Sequence, residues 1–203
     1  EIATARLFES IGVDIMDVVN RIESALDERE IAERIIGRIK ERQYNAVEIL
    51  EYDPQYKDYF KKLNLQWLKK YFEVEERDKK ILSNPETQII QKGGFIFFAR
   101  LDGDIVGTTA LLKVDDETYE ISKMAVTEPA QGKQAGKKLA DAAIGRAKSK
   151  GAKRVLLKTD NKLKAALNLY RKLGFRVTQL EISTSGPYKR EKYGIVMRLD
   201  LEP

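Results

Sequence analysis

Apolar residues recur at helical spacing through the first 43 residues of the chain. They form two successive stripes, one of five members and one of three (Ile11, Ile15, Val18, Ile22 and Leu26; Ile31, Ile35 and Ile39). Between the stripes, Asp27 and Glu30 have the spacing of a capping box, which is typical of a helix start. We therefore expect residues 1–45 to form a helical hairpin with its break near Asp27.

After residue 45, short apolar runs alternate with turn residues and with amphipathic segments. Asp102-Gly103 is a hairpin signal, and Asn84-Pro85 interrupts a helical stretch because proline removes a backbone donor. Predicted strands cover residues 46–52, 95–100, 105–114, 118–126, 153–159, 175–182 and 193–201. Predicted helices cover residues 54–72, 75–91, 137–150 and 162–173. This mixture of elements predicts an α/β (α+β) domain over residues 46–203.

The stretch from residue 119 to residue 177 has the most informative order of elements. It is predicted as strand, turn, helix, strand, helix and strand, and its first turn is TEPAQGKQAG at residues 127–136. Such a turn directs several backbone N–H groups and the positive end of the helix dipole to one point. An anion such as a pyrophosphate fits there, although a plain strand-to-helix turn without a ligand has the same pattern.

Composition limits the chemistry that this chain can perform. The 203 residues include no cysteine and no histidine, which excludes disulfides, thiolate nucleophiles, imidazole bases and histidine-based zinc sites. Acid–base chemistry must therefore use Asp, Glu, Tyr, Lys, water or backbone groups. The formal net charge is +5. Basic residues cluster around the proposed anion site and would attract a polyanion (Lys133, Lys137, Lys138, Arg146, Lys148, Lys150, Lys153 and Arg154).

Targeting signals are absent from the sequence as read. There is no run of eighteen apolar residues and no leader with a small-residue cleavage site. We expect a cytoplasmic protein with no membrane partner. Nucleic-acid binding is also disfavoured, because the N-terminal stripes are rich in isoleucine and net acidic, unlike a recognition helix.

Three segments together resemble the GNAT superfamily of acyl-CoA-dependent N-acetyltransferases. They are the strand end ISKMAV at 121–126, the loop QGKQAG at 131–136, and ALNLYRKLGF at 166–175, which is similar to the family's A-x-x-L-Y-x-x-x-G-F signature. The resemblance covers residues 46–201. It implies a mixed, mostly antiparallel central sheet with flanking helices and a splayed cofactor cleft, so that residues 46–203 form an acyl-CoA N-acyltransferase domain beside the N-terminal extension.

The resemblance also implies a binding site for acetyl-CoA and none for a metal. The expected pantetheine contacts are backbone groups of Met124, Ala125 and Val126, with Asn161 at the end of the next strand. The expected pyrophosphate contacts lie in the loop and at the helix start (Gln131, Gly132, Lys133, Gln134, Ala135, Gly136 and Lys137). The chain departs from the family pattern at Gln134, where the family has glycine. A non-glycine residue at positive φ costs on the order of 1 kcal/mol.

The reaction implied by the resemblance is direct transfer of an acetyl group to a primary amine in a ternary complex. Tyr170 would protonate the departing thiolate, although its position also suits a core aromatic residue. Glu120 is the candidate base, although an ordinary surface glutamate is equally consistent with its pattern. Tyr188, before the last strand, is the candidate acceptor contact.

Two questions stay open at this point. The acceptor is a small-molecule or a protein amine, and the sequence does not choose between them. The alternative to an enzyme is a catalytically weakened or engineered GNAT-fold scaffold that uses its N-terminal helices as an interaction surface. Regular isoleucine spacing is compatible with that alternative. The apolar stripes are covered by each other, by the catalytic domain or by a second copy in a homodimer.

Overall fold

The computed structural model describes residues 2–181 and 194–201, with side chains from residue 17 to residue 179 and from residue 194 to residue 201. Contacts divide the chain into two compact units, Glu1–Arg42 and Gln43–Pro203. The helices are α1 Ile2–Ala46, α2 Lys57–Tyr71, α3 Glu76–Ser83, α4 Pro85–Gln88, α5 Ala135–Ser149 and α6 Lys164–Lys172. The strands are β1 Glu48–Glu51, β2 Phe95–Leu101, β3 Asp104–Lys113, β4 Thr118–Val126, β5 Arg154–Asp160, β6 Arg176–Glu181 and β7 Gly194–Asp200.

The N-terminal segment corrects one prediction. Helix α1 is continuous, so the predicted helical hairpin with a break near Asp27 is wrong. Glu30, which the capping-box interpretation placed in a first turn, instead accepts a hydrogen bond from Arg34 at 2.6 Å, one helical turn onward. Arg29 and Glu33 form a second pair of this kind at 3.2 Å. Because these pairs and the absence of Gly and Pro between residues 13 and 36 favour a helix interior, the chain does not turn there.

In the described part of the second unit, the strands form one sheet in the order β1-β2-β3-β4-β5-β7-β6. Every neighbouring pair is antiparallel except β4 and β5, which are parallel. Asp102 and Gly103 have φ of 53° and 90° and form the predicted tight turn between β2 and β3. The mixed, mostly antiparallel sheet with flanking helices is therefore confirmed.

Each face of the sheet is covered by its own set of helices. One cluster of buried residues joins the sheet to α5 and α6 through side chains such as Leu139, Leu167 and Phe175. The other joins it to α2 and α3 through Phe60, Leu82 and others. Helix α5 presents mainly alanines to the sheet, so it packs closely. A Cβ on Gly107 of β3 would lie 3.0 Å from Leu139 Cδ1, and the glycine therefore permits this close approach. Within the described residues, no helix is long and apolar enough to cross a membrane.

Candidate active site

The groove at the centre of the sheet begins where β4 and β5 separate. The two strands pair only from Thr118 with Arg154 to Ile121 with Leu157. Beyond that point β5 continues beside β7 as far as Asp160, while β4 continues beside β3 as far as Val126. Main-chain groups on the β5-facing edge of β4 thereby lose their strand partner. A cavity of about 660 Å³ occupies the split, which confirms the expected splayed cleft.

A β-bulge sits in β4 at the split. Register shifts between Thr108 and Ala110 of β3, opposite an extra residue in β4, and Lys123 there has φ of 51°. The Lys123 ammonium lies 2.8 Å from an Asp78 carboxylate oxygen on α3. The Asp78 side chain is 2% exposed and that of Lys123 is 17% exposed. A buried ion pair thus holds the bulge at the groove wall.

The turn between β4 and α5 closes one end of the groove. Gly132 has φ of 77° and Gln134 has φ of 65°, so both lie in the left-handed region. Gln134 is the residue before α5, and its side chain does not cap the helix. The first N–H groups of α5 have no partner inside the helix and face the direction from which the chain enters. The side-chain amide of Gln131 donates to the Val126 carbonyl at 3.3 Å and connects this turn to the end of β4.

The first turn of α5 is fixed from outside the groove by the last turn of α1, which belongs to the second unit. The Tyr44 hydroxyl donates to Asp141 at 2.9 Å, and Lys137 donates to the same carboxylate at 2.7 Å. Lys138 donates to the Tyr44 carbonyl at 2.9 Å. Burial, followed by the hydrogen bond to Asp141, raises the pKa of Tyr44 to about 12. This cluster orients the helix terminus.

Tyr170 reaches the groove from α6. Its ring packs edge-on against Phe175 with centroids 5.9 Å apart, and its hydroxyl lies 3.6 Å from the Met124 sulfur. Burial raises the pKa of Tyr170 to about 12. The phenol therefore keeps its proton at neutral pH and faces β4 across the split.

Three further polar residues lie in the same lining. Glu120 and Ser122, which alternate with buried residues along β4, are partly buried there. The Thr159 hydroxyl of β5 is buried and has no hydrogen-bond partner within the described part of the chain. A buried hydroxyl without a partner is unfavourable.

Comparison with known proteins identifies the architecture. The acetyltransferase (GNAT) family matches residues 56–175. The chain belongs to the acetyltransferase (GNAT) family. The matched segment runs from the start of α2 to the residue before β6 and contains both walls of the groove, so the family match and the groove concern the same part of the molecule.

Relatives and solved structures agree with this assignment. The uncharacterised N-acetyltransferase YvbK of Bacillus subtilis (strain 168) is 34% identical over 107 residues, which span 51% of this chain and 69% of that protein. A GNAT-family acetyltransferase structure from Staphylococcus aureus Mu50 is 26% identical with a TM-score of 0.67, and the match covers 77% of this chain and all of that one. A Bacillus subtilis acetyltransferase solved in complex with CoA is 25% identical with a TM-score of 0.56 over 77% of this chain and 98% of that one.

In this GNAT domain, most of the predicted site residues line the groove, and a few do not. Those that line it are Glu120, Met124, Val126, Gln131, Gly132, Gln134, Gly136, Lys137 and Tyr170. Lys133 and Asn161 are exposed turn residues outside the lining, whereas Ala125 and Ala135 are buried behind it. Near Asn161, it is Thr159 and Lys162 that face the groove. Tyr188 lies outside the described residues.

Sequence reasoning did not identify the wall that α2 contributes. Trp67 and Tyr71, one helical turn apart, line the groove with ring centroids 5.4 Å from each other. Their spacing and aromatic character were visible, but they also fit a core stripe. Lys123 and Thr159 were missed as well, because a bulge and an unsatisfied hydroxyl depend on contacts between distant strands.

Proposed function

We propose that this GNAT acetyltransferase transfers the acetyl group of acetyl-CoA directly to a primary amine within a ternary complex. The observation that carries the proposal is the split between β4 and β5 that ends at the uncapped start of α5. A groove with exposed strand groups along one side and helix N–H groups at its end suits an extended arm that carries a diphosphate. The solved Bacillus subtilis acetyltransferase with a TM-score of 0.56 contains CoA, which supports the same ligand for this chain.

The proposed pyrophosphate site is the turn at residues 131–136 and the first turn of α5. Backbone N–H groups there are directed at one region, and the helix dipole favours negative charge. Lys137 adds a cation at the groove lining, although Asp141 shares that charge. Acetyl-CoA would therefore be held mainly by main-chain groups, with the basic surface assisting its capture.

The proposed pantetheine site is the separated part of β4. The pantetheine amides would pair with main-chain groups of Met124 to Val126 as an additional strand does. Thr159 belongs to the opposite wall of the groove, on β5. Asn161, the expected side-chain contact, follows β5 and lies outside the groove lining.

Tyr170 is proposed as the general acid. When the amine nitrogen attacks the thioester carbonyl carbon, the carbon–sulfur bond breaks and the CoA sulfur leaves as a thiolate, which takes the phenolic proton. The raised pKa of Tyr170 ensures that the proton is present. Its hydroxyl lies 3.6 Å from the sulfur of Met124, the residue after the bulge in β4. The thioester end of the pantetheine arm would lie beside this point.

Glu120 is proposed as the base, directly or through water. The attacking amine must be neutral, so a carboxylate that accepts its proton supports the first step. Glu120 lies in the groove lining two residues before the unpaired part of β4. The nearby rings of Trp67 and Tyr71 suit a cationic amine as it enters, because aromatic faces attract cations.

The test measures thiol release from acetyl-CoA with a panel of primary amines. We expect Tyr170→Phe to lower kcat by about 100-fold or more, with little change in acetyl-CoA affinity, because the proton donor acts on the leaving group. Tyr119→Phe is the matched control, since Tyr119 is a buried tyrosine of β4 outside the groove lining. Equal rates for Tyr170→Phe and the parent would remove Tyr170 from the mechanism.

Affinity separates the enzyme from a scaffold on the same fold. The single tryptophan, Trp67, lies in the groove wall, so its fluorescence reports binding directly. A dissociation constant for acetyl-CoA far weaker than about 1 mM would favour the scaffold. The left-handed Gln134 is the feature that would account for such a result.

A further inference from the structure

Helix α1 carries a long apolar surface within the first unit. Ile22, Leu26 and Ile31 are each more than half exposed, and Val18, Ile35, Ile36 and Ile39 are exposed to a similar degree. The described part of this unit is a single helix. Helices draw most of their stability from packing of an apolar face, and exposed patches of this size mark interaction sites.

One line of positions along α1 follows a heptad repeat, while Leu26, Ile31 and Ile35 lie outside this line. Spacings of four and three residues alternate without interruption along one seam (Val18, Ile22, Ala25, Arg29, Ala32, Ile36 and Ile39). Such a repeat favours a coiled coil, in which the seam of each helix packs into a partner helix. Ala25 and Ala32 flank the only charged member, Arg29, so the centre of the seam is narrow apart from one long side chain.

We propose that α1 pairs with α1 of a second copy of this chain in an antiparallel coiled coil. Charge along the helix favours this partner and this direction. Residues 17–28 hold four acidic and one basic side chain, net −3, whereas residues 29–42 hold five basic and three acidic, net +2. An antiparallel arrangement places the acidic half of each helix beside the basic half of the other.

The register follows from Arg29. A parallel pair would place Arg29 against Arg29 of the partner subunit in the seam, where like charges repel and lose solvent. An antiparallel pair centred near Asp27 places Arg29 opposite Ala25 of the partner subunit, and Ile22 opposite Ala32 of the partner subunit. Arg29 and Ile22 then each meet an alanine, and Val18 meets Ile36 of the partner subunit. The Arg29 guanidinium donates to Glu33, one helical turn onward, at 3.2 Å.

The first experiment measures the mass of the full chain by sedimentation equilibrium. We expect a dimer whose dissociation constant rises with salt, because opposite charges hold the halves together. Ile22→Glu and Ile36→Glu should each weaken the dimer by about 100-fold, since each buries a charge in the seam. The matched control is Val114→Glu, an exposed valine 54% accessible on the second unit, which should stay dimeric. A monomer at all concentrations would overturn the proposal.

The second experiment tests direction and uses the absence of native cysteine. Val18→Cys and Ile36→Cys variants are oxidised separately and as a mixture. The antiparallel register places position 18 opposite position 36, so a cross-linked dimer should form in the mixture and not in either variant alone. Cross-links within each separate variant would indicate a parallel pair and would overturn the proposed direction.

Discussion

One residue on each side of the groove has a strained, left-handed backbone, but only one of the two is held in place by a tertiary contact. Lys123 in β4 and Gln134 before α5 both occupy the left-handed region, at φ of 51° and 65°. An L-residue costs about 1–2 kcal/mol there. Lys123 is held by the buried Asp78 carboxylate, whereas the Gln134 side chain makes no capping bond. One strained residue is therefore built into the tertiary structure, and the other is a local cost beside the proposed phosphate site.

The largest effect is expected from the carboxylate that anchors the bulge. Asp78→Ala should lower the free energy of unfolding by about 3–5 kcal/mol, because it leaves the partly buried Lys123 ammonium unpaired. Urea denaturation followed by the fluorescence of Trp67, whose helix packs on β4, measures this loss. The bulge should also relax, which would reduce acetyl-CoA affinity.

Asp78 also accepts a backbone hydrogen bond, and the control variant must preserve that bond. One of its carboxylate oxygens accepts from the Glu75 N–H at 3.2 Å, at the start of α3. Asp78→Asn keeps an acceptor there and removes only the charge. If the asparagine variant were as stable as the parent, the ion pair would contribute nothing to the free energy of unfolding. The contrast between Lys123 and Gln134 would then fail.

A glycine at the bulge separates backbone strain from the ion pair. Lys123→Gly relieves the positive φ but leaves Asp78 buried without its cation, so we expect a net loss of about 2–4 kcal/mol in the free energy of unfolding. The same denaturation experiment applies. A gain in stability would mean that strain, and not the pair with Asp78, dominates at this position.

Sequence periodicity predicted the strands and helices of the second unit because each is a local pattern. It failed at α1, where the Asp27 and Glu30 pattern serves a helix start and a helix interior equally well, and where Glu30 pairs with Arg34 inside a continuous helix. The turn before α5, which is the proposed phosphate site, was predicted from local turn chemistry.

Other parts of the site were not predictable from local patterns. The contact between Lys123 and Asp78 joins residues 45 positions apart, and the Thr159 hydroxyl, which has no partner within the described residues, is buried by the packing of β5 in the sheet. These features depend on strand register and on helix placement. No short segment of sequence contains them, so the turn at one end of the groove was predicted and the wall from α2 was not.

The smallest expected effect, of opposite sign, is at the turn. Gln134→Gly should raise the free energy of unfolding by about 1 kcal/mol, because glycine adopts positive φ without strain. It should also tighten acetyl-CoA binding, since a backbone without Cβ approaches phosphate oxygens more closely. Denaturation and Trp67 fluorescence titration measure the two effects separately.

The matched control for this turn is Gly132→Ala, two residues earlier at φ of 77°. A Cβ at Gly132 would meet no atom within 4 Å, so any loss of stability there reports backbone strain and not a clash. We expect the two substitutions to change stability by similar amounts in opposite directions. If Gly132→Ala is destabilising while Gln134→Gly is neutral, the strain at Gln134 is already offset by contacts of the turn, and the contrast with Lys123 would disappear.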